Sequence, residues 1–148
     1  MDERPDTPAE LKVRALRFLM RREHSRAQLA RKLAPYAESP ALLQSLLNEL
    51  EEKKQLSDER YAEARAHWLS RKYGAAKIRQ DLKAHGIAEA LLQRVSSAGE
   101  LEKARAILAR KYRAPAATRE EKAKRARFLQ SRGFSLDVVH SLVLRDED

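Results

Sequence analysis

The segment "GAAKIRQDLKAHGIAEALLQRVS", residues 74–96, decides the fold, because its apolar phase occurs twice more in the chain. Against "SRAQLARKLAPYAESPALLQSLL", residues 25–47, an offset of 49 places Ile78 on Leu29, Leu82 on Leu33, Leu91 on Leu42, Leu92 on Leu43 and Val95 on Leu46. The same frame carries Trp68 onto Leu19 and Leu69 onto Met20. Moving forward by 47, Leu82 falls on Leu129, Gly86 on Gly133, Ile87 on Phe134 and Val95 on Leu142. Upstream of these, "RKY" recurs at 71–73 and 110–112, an offset of 39. The third copy therefore has eight extra residues between its first two helices, around "RAPAAT". Similarity at a near-constant period marks a repeat array, in which each unit braces its neighbours.

Each copy reads as three helices. In the first, Thr7-Pro8-Ala9-Glu10 forms a capping box with proline at the first helical position. Leu11, Ala15, Phe18 and Leu19 make one helical stripe behind it. Ser25 caps a second helix ending near Pro35, and Ser39-Pro40 opens a third with Leu42, Leu43, Leu46, Leu47 and Leu50. In the second copy Ser57 caps a helix whose first turn holds Asp58 and Glu59, as the positive helix N-terminus favours. Tyr61, Ala64, Trp68 and Leu69 are its inward face, and Gly74 breaks it. Ile78 and Leu82 anchor the next helix, Gly86 stops it in a left-handed conformation, and 88–95 form the last. In the third copy Leu101, Ala104, Ile107 and Leu108 mark the first helix. Thr118 and Glu121 frame a second capping box, Gly133 stops the helix it opens, and Ser135 begins a helix with Leu136, Val139 and Leu142 inward.

The fold class is therefore all-α: three tandem three-helix repeats in an elongated, curved arrangement. The divisions fall at 1–8 (acidic tail), 9–54, 55–97, 98–145 and 146–148 (acidic tail). The 148 residues are 43% hydrophobic and 36% charged, with four Gly and five Pro, a composition of strong helix formers. No strand-like alternation appears.

The chemistry expected of an enzyme is missing. Without cysteine there are no disulfides, thiolate zinc sites or thiol nucleophiles. His24, His67, His85 and His140 show no metal-binding spacing, and neither a phosphate-cradling P-loop nor a G-x-S-x-G elbow is present. The carboxylates serve helix starts and i,i+4 pairs. Tyr61 and Trp68 read as core, and Tyr73 and Tyr112, next to the breaks after the first helices, as residues that wrap over the module junction. No catalytic residue, cofactor or metal is expected. The polar N-terminus and the lack of a long apolar run point to a soluble, cytoplasmic protein without a membrane partner.

What remains is charge. The net charge is +9, and residues 100–145 are the densest, with twelve Lys or Arg against five Asp or Glu. Such a surplus favours a polyanion, whether nucleic acid or an acidic protein surface. The candidate binding residues are Lys77, Arg79 and Lys83, off the Ile78/Leu82 face, and Arg119, Lys122, Lys124, Arg125 and Arg127, crowded on one helix.

"QLSDERYAEARAHWLSRKYGAAKIRQDLKAHGI", residues 55–87, resembles the central signature of the RecX family. The resemblance continues into "LRFLMRREHSRAQLARKL" upstream and "RARFLQSRGFSLDVV" downstream, nearly the whole chain. Tyr73 before Gly74, and Ser25 where glycine could stand in the first turn, depart from the pattern. The resemblance implies a regulator without catalytic activity that lies in the groove of the RecA–DNA filament. There it blocks extension and lowers ATP hydrolysis, strand exchange and co-protease activity. Its partners would be the RecA filament and, weakly and without sequence preference, single- or double-stranded DNA, and the chain would be a monomer. A helix-turn-helix repressor and a helical scaffold with a purely protein partner are the alternatives. The repressor reading requires dimerisation through a segment that the sequence does not display.

Overall fold

A computed structural model describes residues 4–144. Among these residues there are nine α-helices and no strands, in three successive groups of three. The first group is α1 (Pro8–Arg21), α2 (Arg26–Leu33) and α3 (Pro40–Glu52), with a single tight turn at Ala34–Tyr36. The second is α4 (Asp58–Leu69), α5 (Ala75–Ala84) and α6 (Glu89–Leu92). The third is α7 (Glu100–Lys111), α8 (Arg119–Ser131) and α9 (Leu136–Val139), which runs on into one wide π-turn at His140–Leu144.

The described residues form two compact units, 4–65 with 82–91, and 66–81 with 92–144. The division passes through α4 and α5.

In the N-terminal unit the sequence signals become contacts. Thr7 accepts from the Glu10 amide while the Glu10 carboxylate accepts from the Thr7 amide, so two orphan donors at the start of α1 are satisfied, and Pro8 has no N–H to satisfy. Ser25 and Gln28 do the same for α2. The core holds Leu11, Ala15, Leu29, Leu33, Leu43, Leu46, Leu47, Leu50 and Leu56. On α3 the buried leucines keep the i, i+3, i+4, i+7 spacing, which leaves Leu42 about 100° off the stripe and 39% exposed. Asp58, expected to serve its own helix, has its Oδ1 accept from the Arg26 amide at 2.7 Å and so caps α2. Ser25 is fully buried because its hydroxyl also donates to the His85 carbonyl at 2.8 Å. Gly86 does end α5 with φ +82°, and the space a side chain would need there is filled by Ala27.

The C-terminal unit is built on Ala104, Ile107, Ala126, Leu129, Phe134, Val139 and Val143. Its α8 opens at Thr118, whose hydroxyl accepts from the Glu121 amide. The Glu121 carboxylate reaches one residue beyond the expected box and accepts from Ala117 N–H at 2.6 Å. Glu100 is buried, with Oε2 accepting from the Ala75 amide at the start of α5 and Oε1 paired with Lys103 at 3.0 Å.

Several inward expectations are corrected. Trp68 is 61% exposed, and Ala64 is exposed as well. On α4 Tyr61 and Leu69 are buried as expected, and Ala62 joins them. Leu136, the first residue of α9, is 68% exposed, and Leu101 lies outward although Glu100 before it is buried. Near the C-terminus Val143 is buried and Leu142 only half-buried, as the wide turn alters the helical phase. Gly74 does not break α4, which ends at Leu69; it is required instead by a close backbone approach within this unit.

Candidate functional site

The eight cations singled out in the sequence divide into two kinds. Lys77, Lys83, Arg119, Lys124 and Arg127 are exposed and Lys122 is half-buried, and none of these six meets a carboxylate within 4.0 Å among the described residues. Arg79 and Arg125 are used internally. Arg79 Nη2 donates to the Val95 carbonyl at 2.7 Å, closing the end of the α6 segment. Arg125 Nη2 donates to the Ala114 carbonyl at 2.7 Å and its guanidinium lies 4.5 Å from the centre of the Tyr112 ring, pinning the long link before α8.

The α8 geometry follows from its period. Ala126 and Leu129 face the core, so Lys124 and Arg127, three residues apart, share the opposite face. Arg119 stands at the first position, beside Glu120 and Glu121. Backbone hydrogen bonds from Ala117 and Thr118 hold the Glu121 carboxyl below its usual range, so it stays charged and bound to the helix start rather than to a neighbouring cation. Lys77 sits within the same unit beside Gly133, at the C-terminal end of α8. Lys83 belongs to the N-terminal unit.

In the N-terminal unit more of the cations are paired with carboxylates. There Lys12 and Lys53 share Glu49, Arg14 pairs with Asp6, Arg26 with Glu51 and Arg60 with Glu23. Such pairs contribute little stability each but neutralise the surface they occupy. The charge left over lies mostly on the C-terminal unit, in agreement with the sequence count.

Sequence reasoning passed over a second cation set, Lys111 and Arg132, which rest on aromatic rings. Lys111 Nζ lies 4.5 Å from the Phe128 ring centre, and the Arg132 guanidinium lies 5.1 Å from Phe128 and 5.2 Å from Tyr73. The recurrence of "RKY" was the available signal. No three His, Asp or Glu side chains gather as metal ligands would among the described residues, and no helix there is long and apolar enough to cross a membrane.

Two family models match the chain: RecX, second three-helix domain, at residues 57–95, and RecX, third three-helix domain, at residues 98–143. A regulatory protein RecX from Herbaspirillum seropedicae is 48% identical over 134 residues, covering 88% of this chain and 87% of the relative. One from Ralstonia nicotianae is 43% identical over 142 residues, covering 94% and 89%. The crystal structure of RecX from Lactobacillus salivarius superposes with a TM-score of 0.80 at 20% identity, over 93% of this chain and 94% of the other. At that identity the superposition speaks for the fold alone.

Proposed function

The chain belongs to the RecX family of regulatory proteins, and on that footing we propose that it is a non-enzymatic regulator of the RecA recombinase. It binds in the groove of the RecA–DNA filament as a cytoplasmic monomer, limits filament extension, and lowers ATP hydrolysis, strand exchange and co-protease activity. It thereby moderates recombinational repair.

The observation that carries the choice of partner is the set of exposed cations left without carboxylates: Lys77, Lys124, Arg127 and Arg119 in the C-terminal unit and Lys83 in the N-terminal one. Cations held this way release counterions when phosphates replace them, so the contact to DNA is sequence-independent and weakens as salt rises. An acidic protein wall meets the same charges by complementarity. Repeats that each bind weakly gain when joined, because later contacts become intramolecular.

Imaging tests the reading directly. RecA filaments assembled on single-stranded DNA should be shorter, and carry this protein along or at the ends of the filament, when it is added below stoichiometry. Filaments of unchanged length with no added density would contradict it.

A further inference from the structure

The two RKY segments meet in the C-terminal unit. Arg110 Nη2 donates to the Arg71 carbonyl at 3.1 Å, so the end of α7 is tied to the first segment. Arg132, just past α8, donates to the Lys72 carbonyl at 3.4 Å while its guanidinium contacts both Tyr73 and Phe128. Phe128 in turn stands edge-on to Tyr112, with ring centres 6.0 Å apart, and Lys111 lies over both rings. Three rings from three parts of the sequence thus support a row of cations.

That support differs in kind from an ion pair. A ring attracts a cation without cancelling its charge, and it holds the plane of a guanidinium so that little freedom remains to be lost on binding. Arg71, Lys72, Arg110, Lys111 and Arg113 are exposed, and neither they nor Arg132 faces a carboxylate within 4.0 Å among the described residues. Arg14, Arg26 and Arg60 of the N-terminal unit all do. Within the first group Lys111 and Arg132 rest on rings and Arg110 is held by the Arg71 carbonyl, and none of the six is neutralised.

We propose that the paired RKY segments, with Arg132 between them, form a binding site for the phosphate backbone of a single nucleic-acid strand. Guanidinium groups predominate, and their fork matches two phosphate oxygens at once. Consecutive cations at 71–72 and 110–111 suit a repeating row of charges better than a single anion. The half-exposed Tyr73 and Tyr112 rings at its rim suit an unpaired base, which can stack where a paired one cannot. The site is distinct from the Lys124/Arg127 face, and it rests on the reading above only for the choice of polyanion.

The test uses the full chain without recombinase, titrated into a fluorescein-labelled oligothymidylate and followed by anisotropy at several salt concentrations. Replacing Arg71, Lys72 and Arg113 together by Gln changes exposed side chains that hold no other group among the described residues, and circular dichroism checks that the helices persist. Affinity should fall about tenfold or more, and the slope of log K against log salt should shrink by about 2, since each lost phosphate contact removes about 0.7. Arg132→Lys keeps the charge and removes the plane, and should lower affinity severalfold. Unchanged affinity and slope in the triple variant would overturn the proposal. So would unchanged affinity in Arg132→Lys, or a larger loss on replacing Lys124 and Arg127 by Gln than in the triple variant. Failure here leaves the RecA reading standing, because no recombinase is present; that reading fails instead if filaments are unaffected while the oligonucleotide still binds.

Discussion

The backbones of Gly74 and Gly133 touch within the C-terminal unit. Gly74 N–H donates to the Arg132 carbonyl at 2.7 Å, and a Cβ on Gly74 would stand 2.5 Å from the Gly133 carbonyl oxygen. Glycine is required at 74 by proximity, although its own backbone is ordinary. At Gly133, with φ +89° and the Lys77 backbone N 2.5 Å from any Cβ, conformation and proximity both exclude a side chain. Gly74→Ala is expected to destabilise the protein by about 1–3 kcal/mol through overpacking. Gly133→Ala should add about 1–2 kcal/mol for the left-handed backbone. Thermal or urea unfolding checks both, and an Ala at 133 tolerated better than one at 74 would contradict the geometry.

His24 predicts an acid-sensitive step. The ring is buried, with Nδ1 3.0 Å from the Arg22 carbonyl and Nε2 2.9 Å from Lys32 Nζ. Lys32 can donate to Nε2 only if Nδ1 carries the proton, so the ring is neutral. Burial lowers its pKa, with the nearby Arg22 and Lys32 charges adding to the effect against the opposite pull of the Arg22 carbonyl and Glu23. The folded state then binds fewer protons than the unfolded one, whose histidine titrates near 6.5. Stability is therefore full above that pH and is lost as pH falls through and below it. Glu10, held down to about 2 by Arg4 and Thr7, and Glu49, held to about 2 by Lys12 and Lys53, contribute only in a more acidic range. Chemical unfolding between pH 8 and pH 5 should show the decline, on the order of tenths to a few kcal/mol. In His24→Gln the slope should flatten.

Arg79 and Lys77 are two residues apart and should behave oppositely. Arg79 holds the Val95 carbonyl, so Arg79→Gln is expected to cost about 1–2 kcal/mol of stability and leave DNA affinity nearly unchanged. Lys77 is exposed and unpaired, so Lys77→Gln should leave stability within about 0.5 kcal/mol and weaken DNA binding. Parallel denaturation and anisotropy titrations separate the two.

Reversing the charge at Arg119, Lys122, Lys124 and Arg127 together should weaken filament inhibition by about tenfold or more while far-UV circular dichroism stays unchanged. Arg125 is left in place because it anchors the link before α8. Full inhibition by the reversed protein would shift the contact to the paired RKY segments.

Most helix starts were legible in the sequence, because capping is local: Thr7, Ser25, Ser39, Ser57 and Ser135 all accept from an amide three residues on. The glycine stops at 86 and 133 were legible for the same reason. Burial was legible where the apolar spacing was unambiguous, as for Leu43, Leu46, Leu47 and Leu50. It was not legible at Trp68, whose large apolar side chain fits a core stripe in sequence yet is 61% exposed. Long-range partners were out of reach. Nothing near Asp58 in the sequence points to the Arg26 amide, and nothing near Arg125 distinguishes a cation that holds a loop from one that is free. The candidate site was therefore visible as a density of charge, while its division into structural and available cations needed the fold.

Regulation of RecA is read out by RecA-catalysed ATP hydrolysis on single-stranded DNA across a titration of this protein. The rate should fall steeply well below one regulator per RecA subunit. A rate that stays unchanged throughout the titration would contradict it.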